Sequence, residues 1–147
     1  MYLVKTPSEP SPVRAAVLYC SDGRYGTATE RFLHRGLSLE RYDRLVFPGG
    51  AGSLGSHPAA WRHAEAILES LRFLASEHGL RRVVLVAHGD CGFYLKRLGI
   101  PAAEAKKLQL ADLGTAAGRI RSCGPVDVEA WFAEKTADGV RFEPVAL

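Results

Sequence analysis

Apolar positions along the chain fall into short runs divided by turn residues, and the spacing within the runs switches between the strand period and the helix period. Residues 13–19 are apolar and β-branched or small, and polar residues with two glycines follow, which predicts a buried strand ending at about Cys20. Residues 27–35 read as a short helix with Thr27 as cap and Gly36 as stop, and residues 42–47 as a second strand halted by Pro48-Gly49-Gly50. Between Pro58 and His78, Trp61, Ala64, Leu68, Leu71 and Ala75 recur at three- and four-residue steps, the stripe of an amphipathic helix that Gly79 closes. Residues 81–87 contain Val83-Val84-Leu85-Val86, apolar on both faces as a central parallel strand requires, and this strand ends at His88. A helix is predicted over 101–121, and two strand-like runs, 126–134 and 140–145, flank the turn residues Ala137-Asp138-Gly139 as a closing hairpin. The alternation predicts a single α/β domain: a mostly parallel central sheet of four strands, a C-terminal antiparallel strand, and helices on both faces.

Composition narrows the picture. A chain of 147 residues, 47% hydrophobic and 24% charged, forms one domain with a real core and needs no metal or disulfide to staple it. The first dozen residues carry Pro7, Pro10 and Pro12 among polar residues, so 1–12 is expected to be an extended arm and 13–147 the domain. The net charge of +3 is spread without a run of five like charges, which leaves no footprint for nucleic acid. No apolar stretch approaches the roughly 18 residues of a membrane span, and the start lacks a signal-peptide core; a cytoplasmic protein is expected. Cys20, Cys91 and Cys123 are an odd number in such a chain, which favours free thiols available for chemistry.

Two loops that follow parallel strands carry the reactive residues, Cys20-Ser21-Asp22-Gly23-Arg24 and His88-Gly89-Asp90-Cys91-Gly92. Ligands of open α/β sheets bind beyond the carboxyl ends of the strands, so neighbouring first and third strands would bring Cys20, His88 and Cys91 to one centre. Two thiolates and an imidazole suit Zn²⁺ and leave a fourth position for water, whose pKa a catalytic zinc lowers toward about 7. On its tight turn Asp22 would lie near the metal as acceptor or fourth ligand, with Arg24 holding its carboxylate in a bidentate pair.

At these residues the chain resembles the β-class carbonic anhydrases, which pair a Cys-x-Asp-x-Arg loop with a His-x-x-Cys loop on the neighbouring strand. The resemblance covers about residues 13 to 145 and includes Gly50-Ala51-Gly52, where the family has an Asn-Ala-Gly type of sequence. It implies zinc bound by Cys20, His88 and Cys91. It also implies that Asp22 hydrogen-bonds the zinc-bound water, that Arg24 keeps Asp22 off the metal, and that Asp22 closes the site in an inactive state. The implied reaction is reversible hydration of carbon dioxide to bicarbonate, and the family's assemblies imply a homo-oligomer, a homodimer in the simplest case. The chain departs from the family in its Pro-rich start, where the family has a helical arm, and in Pro48-Gly49-Gly50 before the Ala-Gly element.

Other readings stand beside this one. A zinc enzyme acting on carbonyl sulfide or carbon disulfide would share the same ligands, and a zinc module without catalysis would too. Pro48-Gly49-Gly50 also resembles a segment of glutamine-amidotransferase-like and DJ-1-like folds, where Cys91 would be a nucleophile with His88 as its base. A phosphate cradle at the same turn lacks the rest of any nucleotide fingerprint. Cys123 reads as structural, His34, His57, His63 and His78 as solvated surface, and Trp61 and Phe73 as buried helix positions. Phe47, Tyr25, Phe93 and Tyr94 are the candidates for a pocket wall.

Overall fold

The computed structural model describes residues 1–5 and 12–147, so half of the expected arm, residues 6–11, lies outside the described residues. Five strands form one sheet in the order β2-β1-β3-β4-β5: β1 (Ala15–Cys20), β2 (Asp43–Phe47), β3 (Arg82–His88), β4 (Asp127–Thr136) and β5 (Gly139–Val145). The first four are parallel and β5 turns back antiparallel on β4, as the sequence predicts. Three α-helices cover the sheet: α1 (Gly23–Arg31), continued by a π-helical turn over Phe32–Gly36, α2 (Trp61–Glu77) and α3 (Ala102–Arg121).

Strand alternation sorts the core into two layers. Ala16 and Leu18 of β1 with Val83, Leu85 and Ala87 of β3 face one side, where Leu68 and Leu71 of α2 and Leu113, Ala116 and Ile120 of α3 meet them. Ala15, Val17 and Tyr19 with Val84 and Val86 face the other, under Tyr25 of α1 and Leu33 of the turn that follows it. With both faces of β1 and β3 buried, their carboxyl ends are fixed against each other by the parallel register, Tyr19 beside Val86.

Two expectations fail here. The first helix begins at Gly23 and not at Thr27, because Asp22 accepts a hydrogen bond from the Arg24 amide at 3.0 Å and caps the helix four residues early. Gly23 and Gly26, which read as loop, are helical. Trp61 and Phe73 are 60% and 61% exposed, not buried. Phe73 lies nine residues from buried Ala64, two and a half turns, which puts it on the opposite face. Trp61 stands at the helix's first residue, with the Arg62 guanidinium 5.3 Å from the centre of its ring.

A polar node ties α1 to the sheet. Glu30 accepts from the Tyr19 hydroxyl at 2.8 Å, from the Tyr42 hydroxyl, and from Arg44 Nε and Nη2 at 3.2 Å each. Burial alone would raise the Glu30 pKa, but the donors Arg44, Tyr42 and Tyr19 outweigh it and hold the carboxyl down at about 2. A depressed carboxylate stabilises the fold above its ordinary value of 4.5, and that contribution fades as pH falls toward about 2. Glu30→Gln is therefore expected to lower stability near neutral pH by about 1 kcal/mol, discounted for partial exposure. Thermal melts of both proteins as a function of pH check it: the gap should shrink as the solution is acidified, and a gap independent of pH would contradict the assignment.

Candidate metal centre

Cys20 is the last residue of β1 and His88 the last of β3, so the parallel pairing of the two strands delivers both side chains to the same edge of the sheet. After His88 the chain turns sharply through Gly89 and Asp90, the latter in the left-handed region at φ 52°, and returns Cys91 to the interior. Ligand atoms of Cys20, His88 and Cys91 all lie within 4.8 Å of one another, which makes them a group able to hold a metal ion. The three donors picked from the sequence are thus neighbours in space.

Their geometry fits zinc. The sulfur atoms of Cys20 and Cys91 are 3.8 Å apart, the separation that two bonds of about 2.3 Å make at a tetrahedral angle. His88 places Nδ1 2.7 Å from the Gly89 carbonyl, which fixes that nitrogen as the donor. Its Nε2 is buried without a hydrogen-bond partner among the described residues, a lone pair left for a ligand. The Tyr25 ring, 4.2 Å from the imidazole, closes the other side.

The two thiols share their chemistry unequally. The hydrogen bond shared with Cys91 chiefly pulls the Cys20 pKa down, against burial, with help from His88 and the Gly49 amide, whose nitrogen is 3.3 Å from Cys20 Sγ. The Cys91 thiol is pushed up by the hydrogen bond to Cys20 and by burial. The Gly49 amide, moreover, points at sulfur and not at a phosphate.

Pro48-Gly49-Gly50 is a steric requirement of this centre. Gly49 and Gly50 both have positive φ, 83° and 53°. A Cβ on Gly50 would lie 2.8 Å from the Cys20 backbone nitrogen, so only a glycine lets this turn close on the end of β1.

Asp22 and Arg24 form the bidentate pair expected from their spacing. Arg24 Nε lies 3.0 and 3.1 Å from the two Asp22 oxygens, and Nη2 is 2.5 Å from Oδ2. Arg24 Nη2 also donates to the Asp90 carbonyl at 3.0 Å, fastening the first loop to the second. The Arg24 hydrogen bonds are the main reason that the Asp22 pKa falls to about 2, with burial opposing them. Asp22 is not part of the three-residue metal-competent group.

Phe93 and Tyr94, two of the wall candidates, do line the inner side, and behind them stand His57 and Asp112, which sequence reasoning missed. A π-helical turn over Phe93–Arg97 follows Cys91 and buries Phe93 and Tyr94 with Cys91 in one apolar cluster, against which Cys20 packs. Tyr94 donates its hydroxyl hydrogen to Asp112 Oδ2 at 2.7 Å, and His57 Nε2 meets the same oxygen at 2.7 Å. His57 is therefore no solvated surface histidine: it is tied to a buried carboxylate. Asp112 was legible in one respect, since it sits on the buried stripe Ala105, Gln109, Asp112, Ala116 of α3, where a charged residue demands partners. His34 is exposed as expected, His78 pairs with Asp43 at 2.8 Å, and one ring nitrogen of His63 is buried. Cys123 bonds back to the Arg119 carbonyl at 3.5 Å and packs on the core, a structural position.

Gly50→Ala is expected to destabilise the protein by more than about 1 kcal/mol, from the strained φ and the backbone contact together, and to weaken metal binding by displacing Cys20. Thermal melting with metal analysis checks it; a variant unchanged in both would contradict the packing described.

Comparison with known proteins places these observations. A family model described as "Putative carbonic anhydrase" matches residues 12–142. Among solved structures, β-carbonic anhydrase isoform I of the protozoan Trichomonas vaginalis superposes with a TM-score of 0.57 at 14% identity, covering 98% of this chain and 90% of that one. The β-carbonic anhydrase CafA of the fungal pathogen Aspergillus fumigatus gives a TM-score of 0.50 at 14% identity, over 93% and 78% of the two chains. No curated protein matches the sequence.

Proposed function

Since the chain belongs to the carbonic anhydrase family, we propose that it interconverts carbon dioxide and bicarbonate at a zinc ion held by Cys20, His88 and Cys91. The observation that carries this reading is the donor set itself: two sulfurs 3.8 Å apart beside a buried imidazole nitrogen with no other partner. Zinc, when bound, supplies a Lewis acid that brings the pKa of water at its open position toward neutrality.

The chain's own residues do the rest. Cys20 and Cys91 supply the negative charge that holds a dication, and the Gly49 amide steadies the Cys20 sulfur. The Gly89 carbonyl keeps the His88 proton on Nδ1, so that Nε2 stays a donor of electrons. Asp22 offers an acceptor beside the centre for orienting the attacking water, and the Arg24 fork keeps it ionised and turned aside. As the water oxygen bonds to the carbon of carbon dioxide, bicarbonate forms and one proton passes to buffer. The apolar cluster of Phe93 and Leu95 next to Cys91 supports an uncharged substrate over a charged one.

We read the protein as cytoplasmic and homodimeric. Among the described residues no helix is long and apolar enough to cross a membrane, and the three cysteines are free. The open β2 edge with exposed Val46, and exposed Phe73 of α2, supports association of copies.

Metal analysis and stopped-flow carbon dioxide hydration test the proposal. The purified protein should carry about one zinc per chain, and Cys91→Ala should lose it. Asp22→Asn should keep the zinc but lose about tenfold or more in hydration rate, since it removes the charged acceptor and its ion pair with Arg24 while an amide oxygen remains to cap α1. Zinc-free protein prepared without chelators would overturn the metal assignment, and full activity in Asp22→Asn would overturn the carboxylate's role.

A further inference from the structure

On the outer side of α1, toward the same carboxyl edge of the sheet as the metal centre and sharing Arg24 with its loops, a groove of about 590 Å³ lies between this helix and the β4–β5 hairpin. Three arginines line it, Arg24, Arg31 and Arg35, with Phe32, Val140 and Phe142 beneath. We propose that this groove binds an organic phosphate, a phosphomonoester whose flat apolar body rests on the hairpin. The inference is independent of the carbonic anhydrase reading.

Charge is the first argument. Arg24 is already committed to Asp22, but among the described residues Arg31 and Arg35 form no ion pair. Of the acids nearby, Glu30 pairs with Arg44, Glu134 with Lys106 and Glu143 with Arg141, and Asp138, in the turn before Gly139, is paired with neither arginine. Two exposed guanidinium groups four residues apart, one at the end of α1 and one in the π-helical turn, are left facing one groove. Guanidinium forks match phosphate oxygens two at a time, and two cations match the dianion of a monoester better than a monovalent carboxylate.

Shape is the second. The volume lies in the range of small-molecule sites, roughly 300–1,000 Å³. The Phe32 and Phe142 rings stack at 4.2 Å between centroids and 5° between planes, and with Val140 they give the groove an apolar bed that inorganic phosphate would not use. Its walls are kept low by Thr27, Ala28, Gly36 and Gly139. At Gly36 a Cβ would meet the Phe32 ring at 2.8 Å, so the bed and the open wall require each other.

Phenyl phosphate is the minimal probe, titrated into the isotope-labelled, zinc-analysed protein and followed by amide chemical shifts. The expected result is saturable movement of the amides of residues 31–36 and 139–142 at concentrations up to about 1 mM. Inorganic phosphate should bind at least fivefold more weakly, and phenol should leave the spectrum unchanged. Arg31→Gln with Arg35→Gln should weaken phenyl phosphate at least tenfold at unchanged zinc content. Thr27→Glu, which sets a carboxylate one turn from Arg31, should weaken it with both arginines in place. The proposal is overturned by absence of saturation, by equal affinity for inorganic phosphate, by an affinity indifferent to these substitutions, or by shifts confined to residues 20–22 and 88–91, which would place the anion at the metal centre.

Discussion

Two sulfur atoms held 3.8 Å apart beside a buried imidazole nitrogen dictate how the loops around them are built. Without a cation two thiolates this close would repel, so one sulfur keeps its proton, and a buried imidazole nitrogen without a partner is costly. Both costs vanish together if a dication sits between them. The fold makes the arrangement hard to escape: β1 and β3 are buried on both faces, their parallel register sets Cys20 next to the end of β3, and the left-handed Asp90 turns Cys91 back inward.

Around that centre the polar contacts divide into those that fix donors and those that join loops. The Gly49 amide and the Gly89 carbonyl act on single donor atoms, one on sulfur and one on imidazole. Arg24 acts on the assembly, since one guanidinium grips both Asp22 oxygens and the Asp90 carbonyl of the other loop. Asp22 in turn caps α1 through the Arg24 amide, so the start of the helix, the ion pair and the second loop rise or fall as a unit. Behind Cys91, the hydroxyl of Tyr94 anchors the π-helical turn to Asp112 of α3, giving the apolar wall a rigid back.

Much of this was legible in the sequence, and the exceptions have physical causes. The apolar runs that end in Cys20 and His88 identify the central strands, because only a strand covered on both faces needs them. The spacing within each loop then points to the three donors and to Asp22 with Arg24. What local pattern could not show was the competition between helix cap and loop at Asp22, where two glycines argued for a loop and one side-chain hydrogen bond decided for a helix. Nor could it show that Phe73 falls half a turn off the stripe, or that His57 finds a buried acid 55 residues away. Long-range polar pairs leave only a faint trace in sequence, a charged residue on an apolar face. The arginine groove left none, since Val140 and Phe142 of its floor come from a hairpin more than a hundred residues along the chain from Arg31.

The most direct test of the central claim is X-ray absorption at the zinc edge of the purified protein. Two sulfur neighbours at about 2.3 Å and lighter nitrogen or oxygen neighbours at about 2.0 Å are expected. A zinc ion with no sulfur in its first shell would contradict it, and so would a spectrum left unchanged by Cys20→Ala.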